Sequence, residues 1–240
     1  MAWVNQTPFP GFLGPSDSVR HMKSSALSAA AAAVIIGLSG CSHTAKPTGP
    51  AHPIPKAVHP APASDGPHPS IAGYIKDHKI IEVQVHRDDQ GAPKIELPVP
   101  SGWTKSGDDN PKWAYDSIVA NSGSSGDAAP SIAAVLSKLT GNVNPKALLA
   151  AAPGELENLP GFTAPGPGRA STLGTYDAFE SAGIWTDDNK RRYVEQKTVV
   201  IPVSGAVYVL QLNADAPAEQ IPLMQAAVSE VNSTTTFALH

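Results

Sequence analysis

The chain has 240 residues, one cysteine and a formal net charge of −4, from 17 Lys plus Arg against 21 Asp plus Glu. The charges are scattered without a basic stripe, which leaves nucleic acid no electrostatic footprint. A single thiol excludes an internal disulfide, so the folded part must rely on its apolar core.

Residues 1–21 carry Trp3, Phe9, Phe12 and three prolines, unlike any export signal, and are expected to be an extension upstream of a translation start at Met22. Lys23 then supplies a positive charge, and Ala26 to Leu38 form an uncharged run of 13 residues. That run is shorter than the about 20 apolar residues that cross a ~30 Å hydrocarbon core, and it fits the apolar region of a signal peptide. It ends in Leu38-Ser39-Gly40-Cys41, a lipobox, in which cleavage falls between Gly40 and Cys41 and the cysteine thiol carries diacylglycerol. The expected mature protein starts at Cys41 and is lipid-anchored to the outer face of the plasma membrane, in the cell envelope.

From residue 41 to 70 the composition changes. Eight prolines alternate with Ala, His, Ser, Thr and Gly, with almost nothing large and apolar to bury. Such a stretch cannot offset its ordering entropy and reads as an extended tether. His43, His52, His59 and His68 are too widely spaced in a flexible chain to preform a metal site, and no metal or other cofactor is expected.

Residues 71–240 read as one globular domain, long enough to bury about 70% of its unfolded surface. Ser70 caps a predicted helix over Ile71 to Asp77. Ile81, Val83 and Val85 alternate with Glu82, Gln84 and His86, the period of a half-buried strand. Asp89-Gln90-Gly91 turns the chain into a strand around Ile95-Glu96-Leu97, and further strands are expected at Trp113 to Ala120 and Ile132 to Leu139. Asn144-Pro145 is a helix start, a capping residue followed by Pro at the first turn. That helix breaks at Pro153-Gly154. Tyr176 to Trp185, Arg191 to Ile201 and Ala206 to Asn213 are strand-length runs with short joins, hence an antiparallel meander. The last of them is apolar on nearly both faces and is placed at the centre of the sheet. A terminal helix from Pro217 or Pro222 aligns Ile221, Met224, Val228 and Val231 on one face.

No nucleophile elbow, phosphate-binding loop or paired metal-ligand spacing is present. His78, His86 and His240 are the imidazoles of the domain, and His86 beside Arg87, Asp88 and Asp89 reads as a solvated strand end. Of the large aromatics, Tyr115, Phe162, Phe179, Trp185 and Tyr208 are assigned to the core. Trp103 and Trp113 follow Pro-containing loops and are the candidates for the wall of a ligand groove. Arg191-Arg192 reads as a solvated hairpin pair, with an anionic headgroup as the alternative partner.

Leu97-Pro98-Val99-Pro100 followed by Trp103, the run Ala134 to Gly141, Ala152-Pro153-Gly154-Glu155-Leu156, Asn158 to Phe162, Gln196 to Pro202 and Gly205 to Asp215 together resemble the mycobacterial LpqN-type lipoproteins. The resemblance implies an α+β fold of the Mog1/PsbP-like kind, an antiparallel β-sheet with helices packed on both sides. It transfers no catalytic residue. Anchor, tether and setting lead to the expectation of a non-catalytic binding or carrier domain for an envelope lipid, such as a trehalose mycolate, beside a membrane transporter. The alternative is a protein–protein interaction module that binds envelope or host proteins.

Overall fold

The structure is a computed structural model that describes residues 67–121, 129–187 and 190–238. Cys41, the signal segment, all of the tether before Pro67 and His240 lie outside the described residues.

Helix α1 (Ile71–Asp77) starts where expected, with the Ser70 hydroxyl accepting from the Gly73 amide. Strand β1 (Ile81–Val85) follows, then the short β2 (Lys94–Glu96) and β3 (Trp103–Lys105). Strands β4 (Asp116–Ala120) and β5 (Ser131–Thr140) lead to α2 (Pro145–Ala151), whose Asn144 side chain accepts from the amides of Lys146 and Ala147. Helix α3 (Gly154–Glu157) is a single turn beyond the Pro153 break. Strand β6 (Arg169–Leu173) opens the meander of β7 (Tyr176–Asp187), β8 (Lys190–Val203) and β9 (Ala206–Pro217). Helix α4 (Ile221–Thr234) and β10 (Thr236–Ala238) close the chain.

Eight strands form one antiparallel sheet in the order β3-β4-β5-β9-β8-β7-β6, with β1 pairing the far end of β5. Strand β9 lies between β5 and β8, as its two-sided apolar pattern requires. Alternation along the strands then sorts side chains between two faces. The front face carries Ile132, Leu136, Val199, Ile201, Leu210 and Leu212 beneath Met224, Ala227 and Val231 of α4. The back face buries Leu139, Val200, Val207 and Val209 under α1 and α2, and Val194 with Trp185 under Leu156 of α3. Each such aliphatic side chain taken fully out of water contributes about 1.5–3 kcal/mol. Helices therefore pack on both sides of an antiparallel sheet, the expected fold class.

Three details depart from the expected pattern. Ile81 and Val83 are 64% and 54% exposed, because α4 lies along β9 and does not reach the β1 end of the front face, while Glu82 and Gln84 turn toward the back face. Strand β2 pairs with β10 rather than with β1, forming a two-stranded sheet with Ile95 opposite Phe237. Residues 67–70 are held against α3: the side chain of Asn158 donates to His68 O at 2.8 Å and accepts from His68 N at 2.7 Å.

Candidate functional site: a polar groove beside helix α4

Helix α4 covers β9 and leaves the front face over β6, β7 and β8 partly open. Its flank presents Gln225, Val228, Ser229 and Asn232 toward those strands, and the space between is a groove of about 940 Å³. The loop Pro165-Gly166-Pro167-Gly168 forms its outer rim. Gly168 is required there, since a Cβ would stand 2.5 Å from the Phe179 ring and 2.6 Å from Glu180 O. The tight approach places Arg169 directly opposite Glu180.

Register across the meander supplies the rest. Glu180 on β7 faces Lys197 on β8, and Ala182 faces Glu195. Lys197 Nζ sits 2.5 Å from Glu180 Oε1 and donates to Thr172 O at 3.2 Å. Arg169 reaches the second oxygen of Glu180 from the rim, with Nη2 at 2.7 Å. Burial alone raises the Glu180 pKa, but Lys197 and then Arg169 outweigh it and hold the carboxyl below its ordinary value. Two residues along β8 the balance reverses. Burial pushes the Glu195 carboxyl up, against the lowering effect of the Tyr193 hydroxyl that donates to it at 2.6 Å. Burial, then the bond to Glu195, raises the Tyr193 phenol in turn. The floor is thus a fixed ion cluster beside a carboxyl–phenol pair, flanked by Ser171 of β6 and Ser229 of α4. Beneath α4 a crevice of about 10 Å³, room for at most one water, lies among Ile132, Leu212, Ala214, Val228 and Val231 together with Glu195, Lys197 and Asn232.

None of these groups was singled out from sequence. The available signal was Tyr193-x-Glu195-x-Lys197, three polar heads on one face of a strand whose other face is buried. The residues that were singled out fall elsewhere. Trp103 is 5% exposed and packs in the front-face core, so it is not a groove wall; as the first residue of β3 it points inward with Ile118 of β4. Trp113 is half-buried and lines a separate, smaller pocket on the back face.

His86 lies 3.7 Å from Asp89 with both side chains half in solvent, as a strand end should. Its neighbour Arg87 instead bridges Glu96 at 2.5 Å and Asp116 at 2.6 Å, tying β2 to β4. Arg192 is not solvated: it is buried on the back face with both Asp215 oxygens at 2.6 and 2.8 Å. Among the described residues no group of three His, Cys, Asp or Glu side chains is placed to hold a metal ion, and no helix is long and apolar enough to cross a membrane.

Residues 67–238 match the family described as probable lipoprotein LpqN. The chain is 44% identical over 172 residues to the lipoprotein LpqN of Mycobacterium tuberculosis, an alignment that covers 72% of this chain and 75% of that one. It superposes on the crystal structure of LpqN, involved in cell envelope biogenesis of Mycobacterium tuberculosis, with a TM-score of 0.68, covering 72% of this chain and 99% of that chain. A structure of a Mog1 mutant aligns at 16% identity and a TM-score of 0.36, covering 65% of this chain and 95% of that chain.

Proposed function

The chain belongs to the LpqN family of lipoproteins, and from that premise we propose that it is a non-catalytic binding or carrier domain for an envelope lipid, such as a trehalose mycolate, working beside a membrane transporter. The reading places the acylated Cys41 in the outer leaflet of the plasma membrane, residues 41–70 as the tether and residues 71–240 as the domain that holds the ligand. The involvement of the Mycobacterium tuberculosis relative in cell envelope biogenesis agrees with it.

The observation that carries the reading is the division of the groove. Its walls offer hydroxyls, amides and a neutralised ion cluster, which suit the many hydroxyls of a sugar headgroup. Ala182 of β7 and Val228 of α4, within the groove itself, offer an apolar strip to the start of an acyl chain. Binding, rather than bond-making, fits the state of the acids. Glu180 is neutralised by Lys197 and Arg169, and Glu195 accepts from Tyr193, so both are engaged as structural partners.

Native mass spectrometry of protein isolated from a mycobacterial membrane tests the proposal. The wild type carries a co-purified lipid. Ser229→Trp, which fills the groove from an exposed position on α4, loses it. A groove variant that retains its lipid contradicts the site, and steady ester or glycoside turnover contradicts the non-catalytic role. Palmitate labelling that disappears in Cys41→Ala tests the anchor.

Exposed Ile81 and Val83 on a strand whose outer edge is unpaired among the described residues favour the second reading, an interaction module for envelope or host proteins. That reading gains if Ile81→Lys removes a partner that Ser229→Trp leaves bound.

A further inference from the structure

The back face holds a second cavity, of about 310 Å³, among β3, β4, β5 and β9. Trp113 and Pro111 stand on its outer wall, Val119 and Ala133 line its sides, and its inner end reaches Asn213 and Asp215. That volume is at the lower end of small-molecule sites, roughly 300–1,000 Å³. It lies on the opposite face of the sheet from the groove and shares no lining residue with it.

Asp109 and Thr104 of the lining are exposed, and most of the buried polar groups of this pocket are committed. Asp215 gives both oxygens to Arg192, at 2.6 and 2.8 Å. Lys105 donates to Asp116 at 3.1 Å. The Ser117 hydroxyl lies 2.7 Å from Ser106 Oγ and 2.6 Å from Asn110 Oδ1. Asn213 differs. It is 2% exposed and its Oδ1 accepts from Gln196 Nε2 at 2.7 Å, yet its Nδ2 meets no hydrogen-bond partner among the described residues. A buried amide donor without an acceptor is unfavourable, and a ligand that supplies the acceptor recovers the loss.

We propose that this pocket is a binding site for a compact, neutral, largely apolar molecule bearing one hydrogen-bond acceptor, a carbonyl or ether oxygen. The acceptor meets the Asn213 amide once that side chain, whose Nδ2 is closed off as it stands, turns toward the pocket, and the ring or short chain packs on Trp113 between Val119 and Ala133. Neutrality at the buried end follows from the inventory: Arg192 already balances Asp215 and Asp116 already holds Lys105, while Asp109, the remaining charged group of the lining, is exposed to solvent. The inference does not rest on the groove or on its ligand.

The test uses the full chain carrying Cys41→Ala, which removes the acylation site, with 4-phenylbutan-2-one as probe and butylbenzene as its counterpart without the oxygen. Binding is followed by calorimetry and by the Trp113 indole resonance, assigned through Trp113→Phe. The ketone shifts that resonance and binds at least about tenfold more tightly than the hydrocarbon, the worth of one buried hydrogen bond. Ala133→Leu, which fills the cavity, abolishes binding of both probes, while Asn213→Leu levels the two affinities; circular dichroism confirms that each variant is folded. Ser229→Trp in the groove leaves the ketone affinity unchanged, so failure here and failure of the groove reading are distinct results. Equal affinity for the two probes, binding that survives Ala133→Leu, or no binding of either, as for a pocket that holds only water, overturns the proposal.

Discussion

Replacing Lys197 by Met keeps the length and apolar stem of the side chain and deletes its charge from the groove floor. The Lys197 side chain is 6% exposed and sits 2.5 Å from Glu180 Oε1. Without it, Glu180 keeps only Arg169, which approaches from the rim with its own side chain 80% exposed, and Thr172 O loses its donor. Stranding one member of a buried ion pair costs about 3–5 kcal/mol. The remaining arginine and the open side of the groove bring the expectation to about 2–3 kcal/mol. For a domain of this size that lowers Tm by about 4–12 °C. Adding Glu180→Gln to Lys197→Met removes the stranded charge and recovers all but about 1 kcal/mol, so a double-mutant cycle shows strong coupling. The pair is also pH-dependent. The folded Glu180 pKa lies below its unfolded value, so this stabilisation is present above the ordinary carboxylate range and is lost as pH falls through the depressed folded value. Urea melts followed by far-UV circular dichroism, at pH 7 and at pH 3, measure both effects. A single-mutant loss of under about 0.5 kcal/mol, the level of a surface pair, with no coupling in the cycle refutes the reasoning.

Glu82 moves the other way: burial, opposed by a hydrogen bond from Ser137 and reinforced by Glu155, raises its pKa from 4.5 to about 7. Stability linked to it is complete below the unfolded value and lost as pH rises through 7. Glu82→Gln therefore gains about 1–2 kcal/mol over the parent at pH 8, after discounting for its remaining solvent contact, and little at pH 4; urea melts showing an equal difference at both pH values reject this. Gly154→Ala puts a Cβ 2.1 Å from Pro69 O, so residues 67–70 must lift off α3, and hydrogen exchange should accelerate at His68 and Ile71 while β8 and β9 keep their protection. Unchanged exchange there contradicts the close approach. Asn144→Ala removes the α2 cap and lowers stability by about 1 kcal/mol in the same melts; a loss near zero means the cap carries no weight.

Local signals made much of this fold legible. Ser70 and Asn144-Pro145 mark the two helix starts because a cap is a side-chain property of one residue. The meander was legible because alternation and short joins are both local. Pairings distant in sequence left no such trace: β2 finds β10 about 140 residues later, and neither strand names its partner. Strand β1 shows why periodicity alone misleads. Ile81 and Val83 do share a face with buried Val85, but burial depends on what lies above, and α4 does not extend that far. Trp103 was misplaced because the turn before it resembles a loop end, whereas it begins an inward-facing strand.

The groove was hidden for a related reason. Glu180, Glu195, Lys197 and Arg169 each look like ordinary strand polars until the register is known. The register pairs Asp187 with Lys190, and from that pair Glu180 meets Lys197 by simple continuation. Read as a four-residue join, Asp187 to Lys190 leaves that register open, and with it the whole charged floor. Buried Asn213 and Gln196 escaped notice because each sits among other polar strand residues, and their contact on the back face emerges only when β8 and β9 are aligned.

The most direct measurement of the central claim is equilibrium binding of trehalose monomycolate to the wild type, to Ser229→Trp in the groove and to Ala133→Leu on the opposite face. The account predicts saturable binding to the wild type, loss of at least about tenfold in affinity with Ser229→Trp, equivalent to 1.4 kcal/mol, and no change with Ala133→Leu. Absence of saturable binding to the wild type, or binding that Ser229→Trp leaves untouched, contradicts the assignment of the groove as the lipid site.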